Sequence, residues 1–143
     1  MITLRKSSKG TTAGAGTTSF AYCSPLDQPG HAVRIVAVEN GAVTVSKVNP
    51  AYADQMPAYA VIVSKYSETQ CVVQTGGDMT VNKVLEVDMG KKCYVGMDGY
   101  LTTDVPTADL SPSGVVILQY MGTGLGPTGV SLNPSQTTLE VGV

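Results

Sequence analysis

General acid–base, thiol and metal chemistry in this chain would have to be built from one histidine, His31, three cysteines, Cys23, Cys71 and Cys93, and eleven scattered carboxylates. One imidazole excludes, within a single chain, every site that needs several. A Ser–His–acid triad needs only spatial proximity, but the sequence holds no Gly-x-Ser-x-Gly elbow. His31 follows Pro29-Gly30 and is read as a turn or interface residue. A zinc site would have to join it to cysteines that lack any C-x-x-C spacing. The thiols lie in apolar runs, Cys71-Val72-Val73 and Cys93-Tyr94-Val95, where free Cys packs as a small hydrophobe. An odd number of them excludes complete pairing within the chain, and reactive thiols need a basic neighbourhood. Glu86 and Asp88 share a face if their strand runs that far, but a glycosidase needs two acids facing each other across a groove. Asp78 and Asp98 stand beside glycines and are read as turn formers. Gly14-Ala15-Gly16 and the run Gly122 to Pro127 lack the Gly-Lys-Ser/Thr ending of a phosphate loop, and both are read as loops. The expectation is a protein without catalytic residues, cofactor or metal: not an enzyme.

The elements that hold these residues are strands. The chain has 143 residues, a length for one domain, with 20 Val and 16 Thr, no Trp and one Phe. β-Branched residues with 16 Gly and 8 Pro favour strands and turns over helices. Asn40-Gly41 between two Val-rich runs, Ala32 to Val38 and Ala42 to Val48, predicts a tight hairpin. Asn49-Pro50 ends that run, and one helical turn is expected over 51–56. Ala58 to Tyr66 is the clearest strand. Tyr59, Val61, Val63 and Lys65 face one way, while Ala60, Ile62, Ser64 and Tyr66 face the other, so both faces carry apolar groups, as in a strand covered on both sides. Further strands are expected over 70–75, 84–87, 92–96 and 100–103, with an Asp98-Gly99 turn before the last. Residues 76–78 read as a turn, 103–113 as a loop, 114–121 as a central strand and 122–129 as a second loop. Residues 130–132 and 138–143 close the chain. Nine or ten short strands with turns every ten residues or so predict an all-β fold, a single small barrel or sandwich.

Residues 1–19 read differently. Ser7 to Ser19 is a run of small residues with no apolar period, and the basic Arg5, Lys6 and Lys9 meet no acid there. Residues 20–143 hold the other six basic and all eleven acidic residues, a balance of −5. The expected organisation is an extended N-terminal arm over 1–19 before a β domain over 20–143. Ile2 and Leu4 alternate with polar neighbours, as strand addition to a sheet edge requires. Ile2, Leu4, Arg5, Lys6 and Lys9 are the candidate contacts to a neighbouring subunit. The net charge of −2 disfavours nucleic acid as a partner, and no apolar run approaches the roughly 18 residues of a membrane helix. Met1 to Lys6 lacks the apolar stretch of a signal peptide, and reduced thiols suit assembly in a cytoplasm.

From Met56 to Leu132 the order of features resembles a module of tailed-phage virion proteins. Met56-Pro57-Ala58-Tyr59-Ala60-Val61-Ile62-Val63 comes first, then Cys71 to Gly77 and Val84 to Val87. Gly90-Lys91-Lys92-Cys93-Tyr94-Val95-Gly96, Gly99 to Thr103, Pro106-Thr107 and Gly114 to Gly122 follow. The resemblance is to small β-barrel domains of head-decoration proteins, head fibres and tail-fibre segments. It covers a little over half the chain. That module usually carries a bulky residue where Val84 to Val87 stand here. The resemblance implies a capsid decoration (cement) protein, a homotrimer on the virion surface, bound to the major capsid protein. It also implies the alternative of a head-fibre or tail-fibre module binding a carbohydrate or receptor. In that alternative Tyr100, Tyr120 and Leu125, in or beside the two loops, are the candidate contacts.

Overall fold

The structure, a computed structural model, describes residues 17–143 and contains twelve strands among them. The first five close into a barrel: β1 Thr18–Tyr22, β2 Ala32–Glu39, β3 Ala42–Lys47, β4 Ala60–Ser67 and β5 Gln70–Gln74. Their order around it is β1-β3-β2-β4-β5, and β5 returns to β1 in antiparallel register, Thr18 opposite Gln74 and Tyr22 opposite Gln70. β1 opens at Thr18, two residues ahead of the expected start of the β domain at residue 20. The candidate arm contacts Ile2, Leu4, Arg5, Lys6 and Lys9 lie outside the described residues.

A five-stranded lumen is narrow, and small side chains fill it. Ala21, Val33, Val45, Ala60, Ile62, Cys71 and Val73 are buried there with Cys23. The β2–β3 turn puts Asn40 at φ 51° and Gly41 at φ 80°, the conformation that Asn-Gly supplies. The expected helical turn over 51–56 is a short 3₁₀ turn, Ala53–Gln55.

A second sheet covers one side of the barrel. Its strands are β6 Gly77–Thr80, β7 Lys92–Val95, β8 Leu101–Thr102, β10 Tyr120–Gly126 and β11 Gly129–Leu132, in the order β6-β11-β10-β7-β8. β9 Val115–Leu118 pairs with β12 Leu139–Gly142 in a separate ribbon. The larger core lies between barrel and sheet and includes Val48, Val61, Met79, Leu85, Val95, Leu101, Met121 and Val130. β4 serves both cores, as its two-sided apolar pattern predicts: Ala60 and Ile62 line the lumen, while Val61 belongs to the larger core.

Four expectations are corrected. Tyr66 does not share the inward face of Ile62. Ile62 pairs with Val73 and Ser64 with Val72, so one extra residue lies between them; the alternation flips and Tyr66 is 69% exposed. Residues 76–78 are not simply a turn, because Asp78 lies within β6 opposite Ser131. The apolar run 114–121 is two strands with Gln119 between them, its buried side-chain amide bonded to the Ala58 backbone. Gly122 to Gly126 is strand and not loop. There, a Cβ on Gly122 would collide with the Ser131 carbonyl, and one on Gly124 with the Asp88 carbonyl. The glycines serve close backbone packing between strands.

Candidate functional site

The site is built on the segment from Gly96 to Leu110. Met97, Asp98 and Gly99 form the turn into Tyr100, and an Asp98 carboxylate oxygen accepts the Tyr100 N–H at 3.0 Å. The strand that follows is strung between two anchors. On one side Ala32 N–H donates to Gly99 O (2.8 Å) and Leu101 N–H to Gly30 O (3.2 Å). On the other, Thr103 N–H and the Thr102 hydroxyl both donate to Glu86 O, at 2.9 and 3.0 Å. Of the strand expected over 84–87, only a single bridge pairing, Glu86 to Thr102, forms. Leu85 N–H donates to Pro127 O at 2.6 Å and fixes that segment from the opposite side.

Between the 83–86 segment and the 104–110 loop lies an open cleft of about 520 Å³. Its walls mix polar groups with apolar side chains, among them Val84, Leu85, Leu101, Val105, Pro106 and Leu110. Val84 and Leu110 are about three-quarters exposed, and Val105 is half exposed. The charged lining is Glu86, Asp98 and Asp104 against Lys83, a surplus of two negative charges.

Tyr100 lines this cleft, but its ring is engaged. The His31 ring packs against it with centroids 3.9 Å apart, and Lys83 Nζ stands 4.5 Å from its centroid. His31 is 3% exposed, and its Nδ1 accepts the Gln28 N–H at 2.8 Å. Burial, and then Lys47, lower its pKa to about 4, against the opposing pull of Asp27 and Asp98. It is a neutral imidazole that closes the 28–31 turn and props the Tyr100 ring.

The other candidates do not converge on this cleft. Tyr120 is half-buried on β10, its hydroxyl 3.3 Å from that of Thr123. Leu125, on the same strand, is 42% exposed. Neither lines the cleft, so of the three loop candidates Tyr100 alone lies there, beside the 104–110 loop. Glu86 and Asp88 do not face each other across a groove; Asp88 bonds Lys91 at 3.1 Å. Sequence reasoning passed over Lys83, Val84, Val105 and Leu110 as site residues; the signal at Val105 and Leu110 was an apolar residue in a polar, Pro-containing loop.

The cysteines are free and buried. Burial pushes the Cys71 thiol up to about 12, helped by the neighbouring Cys23 sulfur, and burial also pushes Cys93 up to about 12. Among the described residues no three His, Cys, Asp or Glu side chains come together as a metal site.

A second surface feature is aromatic. Phe20 on β1 stacks against Tyr66 on β4, centroids 6.2 Å apart at 25°, and meets Tyr22 edge-on at 5.1 Å. All three lie on the outside of the barrel, Phe20 at 47% exposure. On the β2–β3 hairpin Ile35, Val36 and Val38 are also exposed. Comparison with protein-family models, curated proteins and solved structures gives no match to this chain.

Proposed function

We propose that this chain is a non-enzymatic structural protein of a tailed-phage virion. In this reading it is a capsid decoration (cement) protein, a homotrimer that binds the outer surface of the major capsid protein shell and stabilises it. The observation that carries the reading is the aromatic stripe Phe20–Tyr22–Tyr66 on the outer wall of a closed, rigid barrel. Exposed aromatics grouped on a small domain mark a contact surface, and aromatic residues dominate interface energetics. A barrel without free edges in its own sheet offers such a surface without inviting unspecific strand pairing. Low charge, 14% of residues, also suits a protein whose surface is covered by neighbours.

The fibre-type reading, with a carbohydrate in the cleft, has Tyr100 in its favour. Sugar binding by stacking needs a free aromatic face, and that ring is already packed against His31 with Lys83 Nζ 4.5 Å from its centroid. The adhesive reading is therefore preferred.

Co-sedimentation with assembled major-capsid shells tests it. The variant F20T/Y66T keeps strand-forming residues while removing the stacked pair at the centre of the stripe. It should fold as the parent does and bind shells at least ten-fold more weakly, and the parent chain should raise the temperature at which shells open. A parent chain that does not sediment with shells, or a variant that binds as tightly as the parent, overturns the proposal.

A further inference from the structure

The apolar cleft between 83–86 and 104–110 is on the opposite account from the aromatic stripe: it is acidic as well as apolar. Its walls leave Val84, Val105 and Leu110 exposed, and Glu86, Asp98 and Asp104 outnumber Lys83 along it. Lys83 is already held over Tyr100. An occupant that satisfies this lining carries apolar side chains next to several cations and no acid.

The chain contains one such segment. Ile2 and Leu4 are followed by Arg5, Lys6 and Lys9, and no acid occurs before Asp27. Extended, residues 2–9 present two apolar groups and three cations over about 25 Å, at roughly 3.3 Å per residue. Eight residues then separate Lys9 from Thr18, where β1 begins, enough for a tether of about 26 Å to leave one barrel and reach another.

We propose that residues 2–9 of one copy dock in the 83–110 cleft of a second copy, Ile2 and Leu4 against Val84, Val105 and Leu110, and Arg5, Lys6 and Lys9 against Glu86, Asp98 and Asp104. The inference rests on the reading that the N-terminal segment is an arm for neighbouring subunits, and it identifies the neighbour. A head-to-tail contact of this kind joins two different surfaces, and it closes into a ring when the rotation between copies allows, as a trimer requires. The attraction is electrostatic in part, so it weakens as salt shortens the Debye length from about 10 Å at 0.1 M.

Zero-length carbodiimide cross-linking of the full-length chain, read by peptide mass spectrometry, tests this. Lys91 and Asp88, 3.1 Å apart, provide an internal control. Links from Lys6 or Lys9 to Glu86, Asp98 or Asp104 are expected. Two differently tagged full-length forms are then co-expressed. One carries K6R/K9R and the other E86Q/D98N/D104N, so an arm-to-cleft link forms only between copies. Its persistence in the doubly purified complex supports the proposal. Links in the parent that vanish in the mixed complex place the arm on its own barrel and overturn it, as does their absence in the parent while Lys91–Asp88 forms. Shell co-sedimentation of the cross-linked parent separates the two levels. A parent that binds shells yet forms no arm-to-cleft link, while Lys91–Asp88 forms, removes this inference and leaves the decoration reading standing.

Discussion

Gln119 shows how one buried side chain sets local structure. It is wholly buried, its Oε1 accepts the Ala58 N–H at 2.7 Å, and its Nε2 donates to Ala58 O and Ser135 O at 2.9 and 2.7 Å. Leucine of similar size would leave those backbone groups unpaired. Gln119→Leu should cost about 3 kcal/mol, a fall of roughly 6–12 °C in Tm, read by thermal unfolding at pH 7. His31 sets a pH dependence. Its pKa is about 4 in the fold, below the ordinary 6.5 of the unfolded chain. Its contribution to stability is therefore complete above pH 6.5 and is lost as pH falls from 6.5 through 4. Asparagine can still accept the Gln28 N–H but does not titrate. His31→Asn should be less stable than the parent at pH 7 and show a shallower loss of Tm between pH 6.5 and 4; equal slopes would remove His31 as the cause. Cys71 and Cys93 should resist iodoacetamide at pH 8 in the native protein and react fully once it is unfolded, since burial withholds their thiolates.

β10 is the element whose residues least resemble what they build. Gly122, Gly124 and Gly126 suggest a loop, yet the strand pairs with β11 and β7 and packs under the Ser131 and Asp88 carbonyls. Gly122 also holds φ 141°, a conformation that side chains disfavour. Gly122→Ala should cost at least about 3 kcal/mol or prevent folding, whereas Gly142→Ala, with open space at its Cβ, should fold as the parent does. Denaturant melts of both variants check this. β4 teaches a related point. Its two-faced apolar pattern was readable from residues 58–63, because Ala60, Ile62 and Val61 sit in two different cores. The bulge beyond Ile62 was not, because an extra residue in one strand is defined only by its partner.

The whole molecule places an aromatic stripe on the barrel wall and an acidic, apolar cleft beside the second sheet. The proposed adhesion through the first and the proposed arm exchange through the second use different surfaces and are separable by mutation. Because β1 begins at Thr18 and Thr75 N–H donates to Thr17 O, an arm deletion must stop at residue 16 to spare the barrel. Deletion of 1–16 should leave stability within about 1 kcal/mol of the parent's, since no residue of the described core is removed, yet lower the oligomeric mass seen by light scattering. An unchanged mass would separate the arm from assembly. Where several weak contacts act together on a lattice, losing the arm should weaken shell binding by more than its own contact is worth.

The all-β class, the Asn40-Gly41 hairpin and the buried thiols followed from the sequence alone, since period-two alternation, left-handed turn residues and apolar flanks act over a few neighbouring positions. Which candidates met was decided only by tertiary structure. Tyr100 joined His31, Lys83 and the 104–110 loop, while Tyr120 and Leu125 did not, because pairings such as Glu86 with Thr102 and Leu85 with Pro127 link segments distant in the chain. Such contacts depend on how two sheets pack, and no local pattern encodes them.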